Sequence, residues 1–431
     1  MMKLSRFFTW AVSAALIMLV LISLGVPPAF SQAPKTIKVG VIMPLSGPAA
    51  SIGEYIREAM EFAADRFNAA GGVKSMGGAH IQYVIADHQG KPEVGMAETE
   101  RLILKEKVVA MFSAWHSGVT MTASTVAEKY GVPIVVVLGI GDQITERGYK
   151  YVFRPHGKSG TDQKILLNFL IQTGERMKSP VEKIALVYDA TEGAQTPAKF
   201  WRQYVAEANQ QKRANLKIVY DEAFPMGMTD FNPIILKLKS ARPDFMVLFS
   251  TATSDGILLA KNMAAQRYTP KLGVLSFGGA TLDPVFVPQT GKNSNYWFTI
   301  QGWTKDLLDT SPPWAREWAD AFKKKYNKEV NGDVCKVFLD TYTLFEGLEK
   351  AGTTEGKALR DAIASLDITE GPALMVRTTN RVKFDAEGQN MYYDSGVAQI
   401  ANGQYVFVYP DHIAKPGYRV VWPIPQWKDR K

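Results

Sequence analysis

The feature that most constrains the fold is a set of short, continuously apolar segments that alternate with helical patterns. Residues 37–43 and residues 134–138, the latter IVVVL, lack the in–out alternation of a half-exposed strand. Both faces of such strands must be covered, as in a parallel sheet flanked by helices. Between them lie helical patterns, such as Ile56, Met60 and Ala63 on one stripe.

This alternation occurs twice, over residues 37–138 and again over residues 183–277. Two βαβ series of similar length predict an α/β fold with two lobes, each a doubly wound, mostly parallel sheet. The length of 431 residues agrees, because single cores stop growing near about 250–300 residues. Helical patterns follow residue 303, and a strand-rich tail closes the chain with turns at residues 385–389 and 402–403.

The N-terminal segment has the order of a secretory signal peptide. Lys3 and Arg6 precede an uncharged run over residues 7–24, and Ala29 and Ser31 suit a cut after residue 31. We therefore expect a cleaved signal peptide over residues 1–31 and a periplasmic protein. The alternative is an uncleaved membrane anchor, since the apolar run approaches spanning length.

The composition argues against two further properties, an internal disulfide and nucleic-acid binding. The single cysteine, Cys335, excludes a disulfide within the chain, and its apolar helical surroundings predict an inert buried thiol. The net charge is +8, but lysines and arginines are scattered among acidic residues, so nucleic-acid binding is not predicted.

Ligands of open α/β sheets bind outside the carboxyl ends of the strands, and the loops at those ends lack the common catalytic motifs. No lysine follows Gly53 as a phosphate-binding loop requires, and Ile144 stands where a dinucleotide site needs its third glycine after Gly139 and Gly141. No serine lies in a G-x-S-x-G elbow, and the five histidines show no metal-binding spacing. We expect neither an enzyme nor a cofactor.

Binding of a small ligand is the chemistry that these loops can support. Ser46, Ser113 and Ser117 offer hydroxyl groups, and helices are predicted to begin near Ser51 and Ser117. Helix N-termini favour negative charge. The natural ligand group for such loops is a carboxylate.

The chain also resembles a known family. The order VGVIMPLSGPAASIGE, FNAAGGV, AEKYGVPIVVV and ITERGYKYVFRP is similar to type I periplasmic binding proteins, above all to the branched-chain amino-acid-binding receptors of ABC importers. The resemblance covers residues 35–366. It implies two Rossmann-like lobes joined by three crossovers, near residues 154–160, 296–303 and 371–383.

The same resemblance implies how the chain is divided. Residues 35–155 and 302–372 would form the N-terminal lobe, and residues 156–301 and 375–431 the C-terminal lobe. Helices after residue 303 would thus return to the first lobe, and the tail to the second.

The resemblance also implies a site. Ser117 matches the serine that binds the ligand's carboxylate in the family, while Gly193, Ala252 and Gly278 stand roughly where the family has two tyrosines and an amine-binding glutamate. The full predicted set is Ser46, Ile52, Trp115, His116, Ser117, Gly139, Ile140, Gly141, Glu192, Gly193, Thr251, Ala252, Phe277 and Gly278.

The absence of this glutamate affects which ligand we expect, because a buried ammonium without a carboxylate partner costs several kcal/mol. Glu192 or Asp255 could supply that partner, but a ligand without an α-amino group is simpler. We therefore expect a monomeric receptor that takes an aromatic or aliphatic carboxylate to an inner-membrane ABC permease. A receptor for branched-chain or other amino acids or amides, an α/β enzyme and a membrane-anchored sensor remain the alternatives.

Overall fold

The computed structural model describes residues 35–283, 285–414 and 417–429. The predicted signal peptide lies outside these residues. Within the described ranges, no helix combines the length and the apolar character that crossing a membrane requires.

The first sheet has five parallel strands in the order β2-β1-β3-β4-β5. Every residue of β3 and β4 is buried, as the continuously apolar sequence of β4 predicts. The strands are β1 (Thr36–Met43), β2 (His80–Asp87), β3 (Ala110–Ala114), β4 (Ile134–Val137) and β5 (Val152–Phe153).

The second sheet has seven strands in the order β12-β11-β10-β9-β8-β6-β7. Its last two strands are antiparallel and are joined at Asn402 and Gly403, whose φ angles of 50° and 72° suit the predicted two-residue hairpin. The strands are β6 (Lys183–Asp189), β7 (Lys217–Phe224), β8 (Phe245–Phe249), β9 (Gly273–Phe277), β10 (Phe298–Ile300), β11 (Val397–Ala401) and β12 (Gln404–Tyr409).

Helices cover these sheets, and three of them begin with a polar first turn, at Ser117, Glu192 and Thr253. The helices are α1 (Ala50–Ala69), α2 (Pro92–Leu104), α3 (Ser117–Tyr130), α4 (Ser159–Arg176), α5 (Glu192–Gln210), α6 (Asn232–Ala241), α7 (Thr253–Ala265), α8 (Gly279–Leu282), α9 (Phe286–Thr290), α10 (Pro313–Tyr326), α11 (Gly332–Ala351) and α12 (Gly356–Ala364).

Each sheet and the helices packed on it form one lobe. In the first lobe, Phe62 of α1 contacts Trp318 and Phe322 of α10 and Phe338 of α11, with ring centroids 5.4–5.9 Å apart. Helices α10 and α11 therefore share one apolar core with α1 and the first sheet. Cys335 of α11 is fully buried in this core, as predicted.

The chain passes between the two lobes three times. The first two passages lie between Phe153 and Ser159 and just after Ile300. The third lies between Tyr393 and Val397, because Met375, Val376, Val382, Phe384 and Tyr393 belong to the first core and Val397 to the second.

Candidate functional site

A cavity of about 340 Å³ lies where the carboxyl ends of strands from both lobes meet. Its first-lobe side comes from the loops after β2, β3 and β4 and from α11, and its second-lobe side from the loops after β6, β8 and β9. Much of the lining is apolar, including Leu138, Ile140, Met226, Phe277, Leu282 and Ile300.

The structure brings most of the predicted site residues to this cavity. Those that line it are Trp115, His116, Ser117, Ile140, Glu192, Gly193, Thr251, Phe277 and Gly278. Those that do not are Ser46, Ile52, Gly139, Gly141 and Ala252.

The residues outside the lining have other environments. Ile52 and Ala252 are fully buried, and Ile52 belongs to the apolar core of the first lobe. Ser46 is exposed, and its hydroxyl hydrogen-bonds the Asp87 carboxylate. Ser46, in the loop after β1, and Ile52, on α1, therefore both lie outside this cavity.

Three consecutive residues form what we call the donor wall: Trp115, His116 and Ser117. Trp115 ends the β3 segment in a left-handed backbone conformation, with φ 74°, and Ser117 begins α3. Trp115 Nε1 and both ring nitrogens of His116 are buried without a hydrogen-bond partner among the described residues. Buried polar atoms are usually paired, so these atoms indicate a missing partner.

Ser117 completes this wall. Its side chain is only 3% exposed, and its Oγ accepts a hydrogen bond of 3.0 Å from the Gly141 N–H. The hydroxyl proton of Ser117 meets no acceptor among the described residues, so Ser117 can still donate to a ligand.

Arg154 fixes the loop that contains Gly139 and Gly141, which lies next to Ser117. The guanidinium of Arg154, which is fully buried, donates to the Gly141 carbonyl at 2.7 Å, to Gln389 Oε1 at 2.6 Å and to Thr145 Oγ1 at 3.0 Å. Burial lowers the pKa of Arg154 to about 10, which leaves it charged at neutral pH. Arg154 thus holds the loop that presents the Gly141 N–H to Ser117.

Burial also sets the charge of the donor wall. It lowers the pKa of His116 to about 3, with a further contribution from His88, whose ring lies edge-on at 5.2 Å. The neutral imidazole then has one N–H donor and one acceptor nitrogen. Across the cleft, partial burial raises the pKa of Glu192 against the opposing charge of Arg147.

On the second-lobe side of the cavity, the backbone at Gly278 packs closely against the backbone at Ser250. Gly278 has φ 96°, and a Cβ there would lie 2.4 Å from the Ser250 carbonyl oxygen. The Asp189 carboxylate orients Thr251 by accepting from its N–H at 2.6 Å and from its hydroxyl at 2.8 Å. A glutamate therefore cannot occupy position 278 unless the backbone moves.

Of the two acids suggested by the sequence as amine partners, only Glu192 lines the cavity. The Asp255 carboxylate instead accepts from the Gly227 N–H at 3.0 Å, and burial raises the pKa of Asp255 to about 6. Asp255 serves the loop around Gly227 rather than the cavity.

Sequence reasoning missed a charged part of the lining, formed by His156, Asp162, Asp333, Lys336 and Tyr393. One signal was available, because residues 333, 336 and 340 of the apolar pattern around Cys335 are charged and fall on one helical stripe. The approach of Asp162 and Tyr393 to that stripe depends on the crossovers. No group of three potential metal ligands occurs anywhere in the described part of the chain.

Comparison with known proteins agrees with this architecture. The model of a family described as periplasmic binding protein matches residues 36–404. A curated relative, the Leu/Ile/Val-binding protein homolog 7 of Brucella suis, is 29% identical over 383 residues, covering 88% of this chain and 92% of that protein.

Solved structures share the fold at lower sequence identity. A leucine-binding protein from Thermotoga maritima superposes with a TM-score of 0.74 at 18% identity, covering 87% of this chain and 99% of that one. An ABC-transporter solute-binding protein from R. palustris in complex with benzoate gives a TM-score of 0.74 at 19% identity, covering 86% and 95%.

Proposed function

The chain belongs to the periplasmic binding protein family and is a solute-binding protein of an ABC transporter, not an enzyme; on that premise we propose that it captures a small organic carboxylate, with aromatic acids preferred. The solute binds in the 340 Å³ cavity between the lobes. Closure of the lobes about their crossovers is stabilised because the solute contacts both sides.

The donor wall carries this proposal. The indole N–H of Trp115, the imidazole N–H of His116 and the hydroxyl of Ser117 have no acceptor among the described residues, and they lie at the N-terminus of α3. A carboxylate supplies acceptor oxygens for such donors, and the helix N-terminus favours its charge. The apolar lining and the rings of Trp115 and Phe277 suit an aromatic body.

The benzoate complex of the R. palustris protein gives further support, since it shows an aromatic acid held by the same fold. The position of Gly278 adds a second argument, because the chain has no acid there to receive an α-ammonium. The proposed receptor acts in the periplasm after its signal peptide is removed, and it delivers solute to an inner-membrane permease.

A calorimetric panel tests the ligand class. Benzoate, phenylacetate and hexanoate are compared with leucine, isoleucine and valine at neutral pH. The aromatic acids should bind at least about tenfold more tightly than the three amino acids, which corresponds to about 1.4 kcal/mol. Tightest binding of leucine or a relative would show that the proposed class is wrong.

An amino-acid receptor is the second candidate, and one observation favours it. Asp162, Glu192 and Asp333 bring carboxyl groups to the cavity, and one of them could pair with an α-ammonium. In the panel, Glu192→Gln would then weaken leucine binding while leaving benzoate binding unchanged.

The proposed location has its own test. Protein expressed from the full sequence should be released by osmotic shock, and mass spectrometry should place its N-terminus near Gln32. Retention of the full-length chain in membranes would favour the anchored sensor instead.

A further inference from the structure

Asp333 and Lys336, which we call the α11 pair, line the cavity although neither lies in a strand-end loop. They are only 1% and 8% exposed. Lys336 Nζ donates to Asp333 Oδ1 at 3.1 Å, whereas Asp333 Oδ2 has no hydrogen-bond partner among the described residues. Since an ammonium has three N–H donors, the pair retains both donor and acceptor capacity.

The surroundings of the α11 pair limit what it can bind. Asp162 is 4% exposed, lines the same cavity and accepts from the Ser395 hydroxyl at 2.5 Å. Tyr393 packs on Gly157, where a Cβ would lie 2.5 Å from its ring. This part of the cavity therefore holds one buried ammonium, two carboxyl groups and one phenol.

Charge decides between the possible ligand groups. A second carboxylate on the solute would face Asp162 and Asp333, and an ammonium would face Lys336. Uncompensated buried charge is costly, so a neutral group that both donates and accepts fits best. A hydroxyl group has that property.

We propose that the α11 pair binds a hydroxyl group of the solute, at a position away from the solute's carboxylate. The hydroxyl donates to Asp333 Oδ2 and accepts from Lys336 Nζ. This inference rests on the proposed function and names its substrate class as hydroxylated aromatic acids. It also assigns Asp333 and Lys336, on α11, to ligand specificity.

The test compares acids that differ by one hydroxyl group. Benzoate, 3-hydroxybenzoate and 4-hydroxybenzoate are titrated by calorimetry into the wild type and into a double variant, Asp333→Asn with Lys336→Met. Both charges are removed together, because removing one partner leaves the other buried and unpaired. The matched control is Glu58→Gln with Lys328→Met, a lysine–carboxylate pair 2.6 Å apart on the first lobe, neither residue of which lines this cavity.

One hydroxybenzoate should bind the wild type and the control at least tenfold more tightly than benzoate does. In the double variant the ratio of the two affinities should fall to threefold or less. Urea unfolding checks that the double variant is folded; if it is not, Asp333→Asn alone is judged by the same ratio.

The remaining outcomes overturn the inference in distinguishable ways. Equal binding of benzoate and both hydroxybenzoates by the wild type refutes the inference and leaves the proposed function standing. A preference that survives in the double variant removes the α11 pair from hydroxyl recognition. Absence of binding by all three acids, with tight binding of leucine, refutes the proposed function and this inference together.

Discussion

The two sides of the cavity differ in the groups that line them: mainly polar side chains on the first-lobe side and mainly glycines on the second-lobe side. The first-lobe side presents side-chain chemistry: the donor wall, the α11 pair and, behind them, the buried guanidinium of Arg154. The second-lobe side presents mainly glycines, Thr251 and Phe277, with two acidic lining residues, Glu192 and the buried Asp162 of α4. Under the proposed function, the first lobe would supply most of the solute's hydrogen bonds and the second lobe would cover the solute.

Loss of Arg154 should have the largest effect. Arg154→Met leaves Gln389, the Gly141 carbonyl and Thr145 without their buried donor, so the free energy of unfolding in urea should fall by at least about 3 kcal/mol. The control is Arg202→Met, an exposed arginine that pairs with Asp221 in the second lobe and should cost about 1 kcal/mol or less. Similar losses for both variants would mean that Arg154 does not organise the first-lobe side.

The close backbone of the second lobe can be tested at Gly278. Gly278→Ala adds a Cβ 2.4 Å from the Ser250 carbonyl oxygen at a φ of 96°, and should lower the free energy of unfolding by about 2–4 kcal/mol. Gly371 is a matched control, because its φ of 88° is similar but no atom lies within 4 Å of the added Cβ. Gly371→Ala should cost only the backbone strain, about 1–2 kcal/mol. Equal losses of unfolding free energy in the two variants would show that the close approach of Gly278 to the Ser250 carbonyl does not constrain this loop.

Ser117 tests whether the donor wall selects the carboxylate. Ser117→Ala should weaken solute binding by about 1.5–3 kcal/mol, the contribution of a hydrogen bond to a charged group. Because the buried Gly141 N–H also loses its acceptor, the free energy of unfolding should fall by about 1 kcal/mol.

Ser124→Ala is the control for Ser117, because Ser124 is buried on the same helix and lies outside the cavity. It should leave affinity unchanged. If Ser117→Ala retains full affinity in calorimetry, Ser117 does not contact the solute.

The smallest expected effect concerns pH and His116. The folded state lowers the pKa of His116 to about 3, while an unfolded histidine titrates near about 6.5. Between these values the unfolded chain binds more protons, so this contribution to stability is lost as pH falls below about 6.5. From pH 7 to pH 5 the wild type should lose about 1–2 kcal/mol more than His116→Phe in urea unfolding.

Two neighbouring groups must be considered in this comparison. Burial also lowers the pKa of His88, and burial raises the pKa of Asp162 to about 6, which acts in the opposite direction. Both residues remain in both proteins, so their contributions largely cancel in the difference. Parallel pH profiles for the two proteins would show that His116 is not held neutral by the fold.

The sequence by itself determined the architecture. Continuous apolar strands such as residues 134–137 can be stable only with both faces covered, and the repeated βαβ pattern therefore predicted two mostly parallel sheets. The carboxyl ends of the strands predicted the loops that meet at the cavity, including Trp115, His116 and Ser117. These features follow from local periodicity and from a general rule of α/β topology.

Only the tertiary structure decided which other residues complete the site. Asp162, Asp333 and Tyr393 are far apart in sequence and share one cavity because the chain passes three times between the lobes. Ile52 lies in the first turn of α1 and Ala252 in the loop after β8, yet packing buries both side chains completely. Periodicity shows which face of a helix or strand is apolar, but the crossovers determine which charged side chains meet. Because these side chains are buried, leaving one of them unpaired is energetically costly.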